Sequence, residues 1–477
     1  MFIRRVANRL FFVLINGFIL LTVFYNPAFS IRSISSDSGN YSPSPPGILE
    51  KKNLTRTADP VTIQGRDLKI LLGKSISNIR VYAAPQGVLI PIPYQIDERD
   101  ASNNWVLPRG PKANLDKDHE LLDENDELVF MARDLGDRIA KENWISGYEI
   151  GLEVEVRDPL TACRGWVYVF YFSNPPERSP RDYVRYTLSS SEHIISTDYY
   201  LVSSPPEGAY YTKLLITEAG GGNGKNLIKK SRIEGRARLE WFFLLGAIKT
   251  FKRDEDDIRF RLSAYKDGPV RVIIRGKPEL ELILGIKLPS EEVDSIYYLN
   301  HFYYTNIIHS PIKLSRYCSQ ASVLGALDFN ENALGMKFYN SNNRQGVVLD
   351  GVMSEAEKNL DRSHQEWSVL TGKQGSFMTV IQRGPTLSQL KGELVYIDTT
   401  NLLPDGSKQL FIRIGHLFDL LTVDNGRHRY QVYFYFLPSY HPGDETAYLN
   451  ITRHPLEFSI REEISIEMGL LQPRKVF

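Results

Sequence analysis

The sequence predicts a mainly β protein built as two antiparallel β-sandwich domains, the second larger than the first. Three observations carry this. Short runs with period-two apolar alternation recur along the chain and are separated by turn residues. Tyr (26) and Phe (23) are abundant while Met (6) is scarce, a bias toward strands. Helical periodicity is thin, the best short candidate being residues 354–360 with Ser354 as N-cap. Many strands without alternating helices point to antiparallel sandwiches, and no fixed-period repeat supports a propeller or solenoid.

Taken in order, residues 1–30 read as a signal peptide. Arg4, Arg5 and Arg9 precede the apolar run 10–24, Pro27 breaks it, and Ala28-Phe29-Ser30 has the small-x-small form of a cleavage site. The rival is an uncleaved anchor, since no charge falls between Arg9 and Arg32; Asn16, Gly17 and Pro27 weaken it. Cleavage implies a secreted or periplasmic protein with no membrane span left. Residues 31–60, with Ser42-Pro43-Ser44-Pro45-Pro46-Gly47, read as a flexible leader. Residues 61–175 form the N-terminal β-sandwich module: 78–82 alternates, 148–156 has an apolar even face, and 165–172 is apolar on both faces, as a central strand is. Pro175, Pro176 and Pro180 then mark a boundary. Residues 181–470 make the larger sandwich. Strand patterns cover 258–262, 269–274 after the Asp267-Gly268 turn, 280–284 and 410–414. The pattern at 429–436, preceded by Asn425-Gly426, carries aromatics on both faces.

Composition excludes several classes. With 42% apolar and 24% charged residues over 477 positions, the chain buries a sizeable core and is not disordered. Lys+Arg and Asp+Glu are both 57, so there is no general electrostatic grip on nucleic acid. Residues 220–225 (Gly-Gly-Gly-Asn-Gly-Lys) lack the P-loop spacing and its following Ser/Thr and read as a flexible loop. The two cysteines, Cys163 and Cys318, are too few for a disulfide scaffold or a Cys-rich zinc protein. In an oxidising compartment an even pair suggests a disulfide; the other reading is two buried free thiols acting as small hydrophobes.

Three constellations could carry chemistry. The densest is acidic, with Asp116, Asp118, Asp123 and Asp126 on one loop. Closely spaced oxygen ligands suit calcium, although the spacing is not that of an EF-hand: position six after Asp116 is Leu121, not Gly. Lys112, Lys117, Arg133 and Arg138 are near enough in sequence to neutralise the same carboxylates, which leaves a surface ion-pair reading open. This region also carries a resemblance. Pro93-x-Gln95-Ile96-Asp97-Glu98, the acidic loop and Asn125-Asp126-Glu127-Leu128-Val129-Phe130-x-Ala132-x-Asp134 resemble the N-terminal β-module of largely uncharacterised secreted bacterial proteins. Some of these resemble exo-acting polysaccharide lyases with a galactose-mutarotase-like supersandwich. The resemblance covers about residues 60–175 and assigns no catalytic residue. Where relatives often have Asp-Gly-Asp-Gly, this chain has Asp116-Lys117-Asp118-His119. It implies a secreted bacterial setting, a glycan context and a supersandwich form for the larger domain.

The second constellation is 361–367. His364 and Glu366 share one face of an extended segment, with Arg362 beside them. A base, an acid and a cation so placed could abstract a sugar proton and pair with a uronate; the other reading, and the one the residues favour, is a polar strand end with Trp367 in the core. The third is aromatic: Tyr297, Tyr298, His301, Phe302, Tyr303 and Tyr304. Strict alternation sends Tyr298, Phe302 and Tyr304 to one face and Tyr297 and Tyr303 to the other. One face fills a core; Tyr297, Tyr303 and Tyr304 are the candidates for stacking on a sugar. These features point to an extracytoplasmic protein with a binding or structural role toward polysaccharide. The alternative is a carbohydrate-active enzyme, lyase or hydrolase, with its site on the second domain. A shallow aromatic face favours binding, and a deep pocket uniting His364, Glu366 and Arg362 favours the enzyme.

Overall fold

The structure, a computed structural model, describes residues 47–239, 249–281, 287–288, 291–310, 313–316 and 318–464. Residues 1–30, expected to be a signal peptide, and residues 31–46 of the expected leader lie outside the described residues. The chain divides into two compact units, both β-rich. Among the described residues the first holds 47–106, 115–182 and 447–464, and the second 107–114 and 183–446. The main boundary falls between Asp182 and Tyr183. No helix among the described residues is long and apolar enough to cross a membrane.

In the first unit a five-stranded antiparallel sheet runs in the order Glu457–Ile464, Ile150–Arg157, Arg164–Tyr171, Ile79–Ala83, Ile90–Pro91. A three-stranded sheet runs in the order Pro60–Gln64, Glu127–Met131, Tyr94–Asp97, and Ile48–Glu50 pairs with Arg138–Ile139. Ile63, Leu128, Phe130, Val154, Val167 and Val169 share one core. Trp166, Tyr168 and Phe170, from the same strand as Val167 and Val169, join a second cluster with Ile48, Tyr82 and Phe172. That strand is buried on both faces, which is why its sequence is apolar throughout. The leader ends earlier than its composition suggests. Ile48 pairs with Ile139, Leu54 is buried, and Lys52 Nζ donates to the carbonyls of Arg133 and Leu135, so residues from 47 onward belong to the folded unit.

The second unit is the larger and contains antiparallel sheets of ten, five and four strands. The ten-stranded sheet includes, side by side, Arg271–Glu281, Val293–Tyr298, His301–Ser310, Gly426–Leu437, Gly375–Arg383 and Trp367–Gly372. The five-stranded sheet includes Ile228–Leu239, Cys318–Phe329, Lys408–Asp419 and Lys391–Leu402. All three sheets contribute to one core: Val184, Tyr200 and Leu214 from the smallest, Phe302, Phe434 and Phe436 from the largest, and Phe329, Tyr396 and Ile412 from the third. The short helix forms as Glu355–Lys358, with Ser354 Oγ accepting from the Glu357 amide. The expected β class and sandwich form are thus what the chain adopts.

Candidate functional site

Val293–Tyr298 and His301–Ser310 form a hairpin that turns over Leu299 and Asn300. Its register sets Tyr297 opposite Phe302, Ile296 opposite Tyr303 and Ser295 opposite Tyr304. Directly opposed residues point the same way, so a two-residue turn reverses the parity that strict alternation predicts. Tyr297, Phe302 and Tyr304 therefore share the core face, and Tyr298, His301 and Tyr303 the other. The sequence-based grouping is corrected on this point.

On that other face Tyr303 lies opposite Tyr433, their rings 4.8 Å apart at 29°. The next row sets Thr305 opposite Gln431, and Gln431 opposite Gln382. Thr305 Oγ1 accepts from Arg429 Nη2 at 3.3 Å and from Gln431 Nε2 at 3.5 Å, while Tyr433 OH donates to Gln431 Oε1 at 3.3 Å. Gln382 and Arg429 are exposed, Tyr303 and Gln431 half-buried, and Tyr433 buried. Behind this edge a buried row anchors the surface. His301 stacks on Tyr298 at 4.6 Å and on Tyr435 at 5.3 Å, and Arg271 Nη1 donates to Tyr298 OH at 3.0 Å. Burial pushes His301 down to about 3, so its ring is neutral at ordinary pH. The result is a strip in which aromatic rings lie beside hydrogen-bonded amide and hydroxyl groups. Rings offer a face to sugar C–H groups, and amides offer donor and acceptor together to sugar hydroxyls. Sequence reasoning named Tyr303 but missed Tyr433, Gln431, Thr305 and Gln382. The signal was present in the alternation Arg427, Arg429, Gln431, Tyr433, Tyr435, which places these five residues on one face of a strand.

Tyr297 turns the other way, into a recess of about 40 Å³ lined by Tyr186, His193, Tyr211, Phe260 and Ser295 among others. Tyr211 OH and Tyr297 OH are 3.0 Å apart, and Tyr186 OH lies 3.2 Å from His193 Nδ1. Burial raises the pKa of all three tyrosines and lowers that of His193, so the lining is neutral. The volume suits a few water molecules rather than a sugar ring. Tyr304 packs against Phe434, with centroids 6.3 Å apart. Of the three candidate tyrosines, Tyr303 alone is on the strip.

Residues 361–366 are loop; the strand begins at Trp367. The side chain that turns fully inward is Gln365, not His364 or Glu366. Asn342 and Asn343 donate backbone N–H groups to Asn340 Oδ1 at 3.0 and 2.6 Å, and Asn340 Nδ2 donates to Gln365 Oε1. Gln365 Nε2 then donates to His416 Nε2 at 2.7 Å. Because backbone amides fix the first step, each later donor is fixed too, and His416 carries its proton on Nδ1. Burial, aided by nearby His364, pushes His416 down to about 3. His364 is half-buried, its buried Nδ1 has no hydrogen-bond partner among the described residues, and burial with the Arg383 charge lowers its basicity. Arg362 is exposed and reaches the Tyr396 carbonyl at 3.5 Å; Glu366 is exposed. None of His364, Glu366 or Arg362 lines the recess.

In the acidic loop, carboxylate oxygens of Asp116, Asp118 and Asp123 come within 4.8 Å of one another. Asp126 does not join them. Its oxygens accept the backbone N–H groups of Arg99 at 3.0 Å and Asp123 at 2.9 Å, clamping the turn, and burial holds its carboxyl up to about 7. Two of the four basic neighbours are engaged elsewhere, Lys112 with Glu292 and Arg138 with Glu153. Three converging hard oxygen donors fit a calcium ion in kind.

Cys163 and Cys318 are both free thiols, which corrects the disulfide reading. They belong to different units, and each packs as a small hydrophobe in its own apolar cluster: Cys163 beside the first unit's core, Cys318 with Leu314, Ala321 and Phe418. Burial raises the Cys318 pKa and keeps that thiol protonated.

No family model and no curated protein matches the chain. Among solved structures, an alpha-mannosidase from Enterococcus faecalis V583 aligns over 87% of this chain and 45% of its own, with 10% identity and a TM-score of 0.39. A glycosyl hydrolase family 38 protein from Enterococcus faecalis aligns over 87% and 47%, with 10% identity and a TM-score of 0.37. The protein HI1317 aligns over 53% and 98%, with 11% identity and a TM-score of 0.25. The chain spans less than half the length of the first two. Superpositions at this level establish neither a common fold nor a common activity.

Proposed function

We propose that this is an extracytoplasmic glycan-binding protein, and that the Tyr303–Tyr433 strip of the ten-stranded sheet is its binding surface. The observation that carries the reading is the pairing of stacked tyrosines with hydrogen-bonded Thr305 and Gln431, and with exposed Gln382 in register beside them, at a partly exposed sheet face. The export signal in the sequence supports the extracytoplasmic setting. Binding is favoured over turnover because Tyr303, Thr305, Gln431 and Tyr433 offer neutral stacking and hydrogen-bonding groups. Calorimetry against a panel of soluble polysaccharides tests this. Tyr303→Ala is expected to weaken the best ligand roughly ten-fold, from the loss of one ring contact, and Gln431→Ala to weaken it further, with circular dichroism unchanged. An unaltered affinity in both variants, or no binding by the wild-type protein, would reject the strip as the site.

The Asp116, Asp118 and Asp123 cluster is proposed to bind calcium. If it does, calcium at 100 times its dissociation constant should stabilise the first unit by about 2.7 kcal/mol, read as a rise in melting temperature that Asp118→Asn reduces. No shift at millimolar calcium would remove the metal from the account.

A further inference from the structure

Resting on the strip as the binding surface, we infer that its ligand is an acidic glycan whose carboxylate or sulfate pairs with Arg429. Most cations around this face are already committed. Arg427 lies 3.6 Å from Glu291, Arg275 pairs with Asp294 at 2.8 Å and Lys313 with Asp424 at 2.9 Å, while Arg271 is buried beneath the surface. Arg429 is different. It is exposed, its guanidinium bonds only the neutral hydroxyl of Thr305, and among the described residues no carboxylate pairs with it. An unneutralised guanidinium anchored by one N–H keeps other donors for a planar or tetrahedral anion.

Its position suits a charged group on a bound chain. Arg429, Gln431 and Tyr433 alternate along one strand on one face, so successive members are roughly 7 Å apart. The hydrogen bond to Thr305 tilts the guanidinium toward the Thr305–Gln431 row, one row from the stacked tyrosines. An anionic substituent would therefore meet Arg429 beside the stacked ring rather than on it. The ligand this fits is an oligosaccharide carrying acid groups at its edge, not a neutral chain.

The test uses the full protein and three probes in calorimetry: a short oligogalacturonate, the same oligosaccharide after carboxyl reduction, and a sulfated galactan fragment. One charge-assisted contact should make an acidic probe bind roughly ten- to hundred-fold more tightly than the reduced one, with the advantage shrinking as salt rises. Preference between the carboxylated and sulfated probes identifies the acid group. Arg429→Gln should bring the acidic probes down to the affinity of the reduced one. Equal binding of acidic and reduced probes, or an acidic preference that survives in Arg429→Gln, overturns the acidic class while leaving the strip as a binding surface. Failure of all three probes to bind the wild-type protein removes the strip and the class together.

Discussion

Acidification from about pH 6.5 to 4 is expected to destabilise the second unit by roughly 4 kcal/mol net, a large share of a typical domain's stability. The cause is two buried imidazoles. His301, stacked between Tyr298 and Tyr435, and His416, accepting from Gln365, each titrate near 3 in the folded chain. In the unfolded chain both titrate near the ordinary value of about 6.5. The folded-state pKa is depressed, so the native state excludes protons that the unfolded state binds. The stability is fully present above about pH 6.5 and is lost as pH falls toward 3, at about 1.4 kcal/mol per unit for each histidine. Asp398 works against this. Burial, assisted by Glu357 and Asp350, holds it up to about 6, so between 6 and its unfolded value it favours the folded state as pH falls. Urea unfolding at stepped pH measures the net slope. His416→Gln keeps an acceptor for Gln365 and should remove about half of the histidine contribution. A flat profile, or an unchanged slope in that variant, would show that these rings are not the acid-labile groups.

Phe302→Ala is expected to cost about 3–5 kcal/mol. The ring is fully buried and packs among Tyr200, Tyr211, Tyr297, Phe434 and Phe436, its stack on Phe434 having centroids 4.7 Å apart. Phe302 reaches the layer where all three sheets of the unit meet, so truncation leaves a cavity with no flexible neighbour to fill it. Tyr303, the next residue, is half-buried on the opposite face, and its truncation should cost much less stability while acting on glycan affinity. Denaturant midpoints for the two variants give the comparison. Similar losses would mean that the two faces of this hairpin are not divided between core and surface as the register requires.

The alternation of 148–156 and the two-sided apolarity of 165–172 were sufficient to read strands correctly, because burial on one or both faces writes itself directly into period-two sequence. The strip was harder to read for a geometric reason. Tyr303 was legible as an aromatic near others, but its face depended on a two-residue turn at Leu299 and Asn300, and a one-residue error there inverts every assignment. Gln431 and Thr305 come from strands paired across more than a hundred positions of sequence, so nothing local marks them as neighbours. The inward turn of Gln365 was unreadable for a similar reason. Its partners Asn340 and His416 come from distant segments, and a Gln between His364 and Glu366 carries no sign that it, rather than either of them, satisfies buried polar groups.

The strand Glu457–Ile464 pairs along its whole length with Ile150–Arg157, and this has a consequence for the order of synthesis. The five-stranded sheet of the first unit cannot close until residues 183–446, which belong to the second unit, have been made. Until then Ile150–Arg157 presents a row of unpaired amides, the kind of edge that recruits foreign strands. Deleting 457–464 should therefore harm recovery of folded protein more than the small share of the core those residues contribute would suggest.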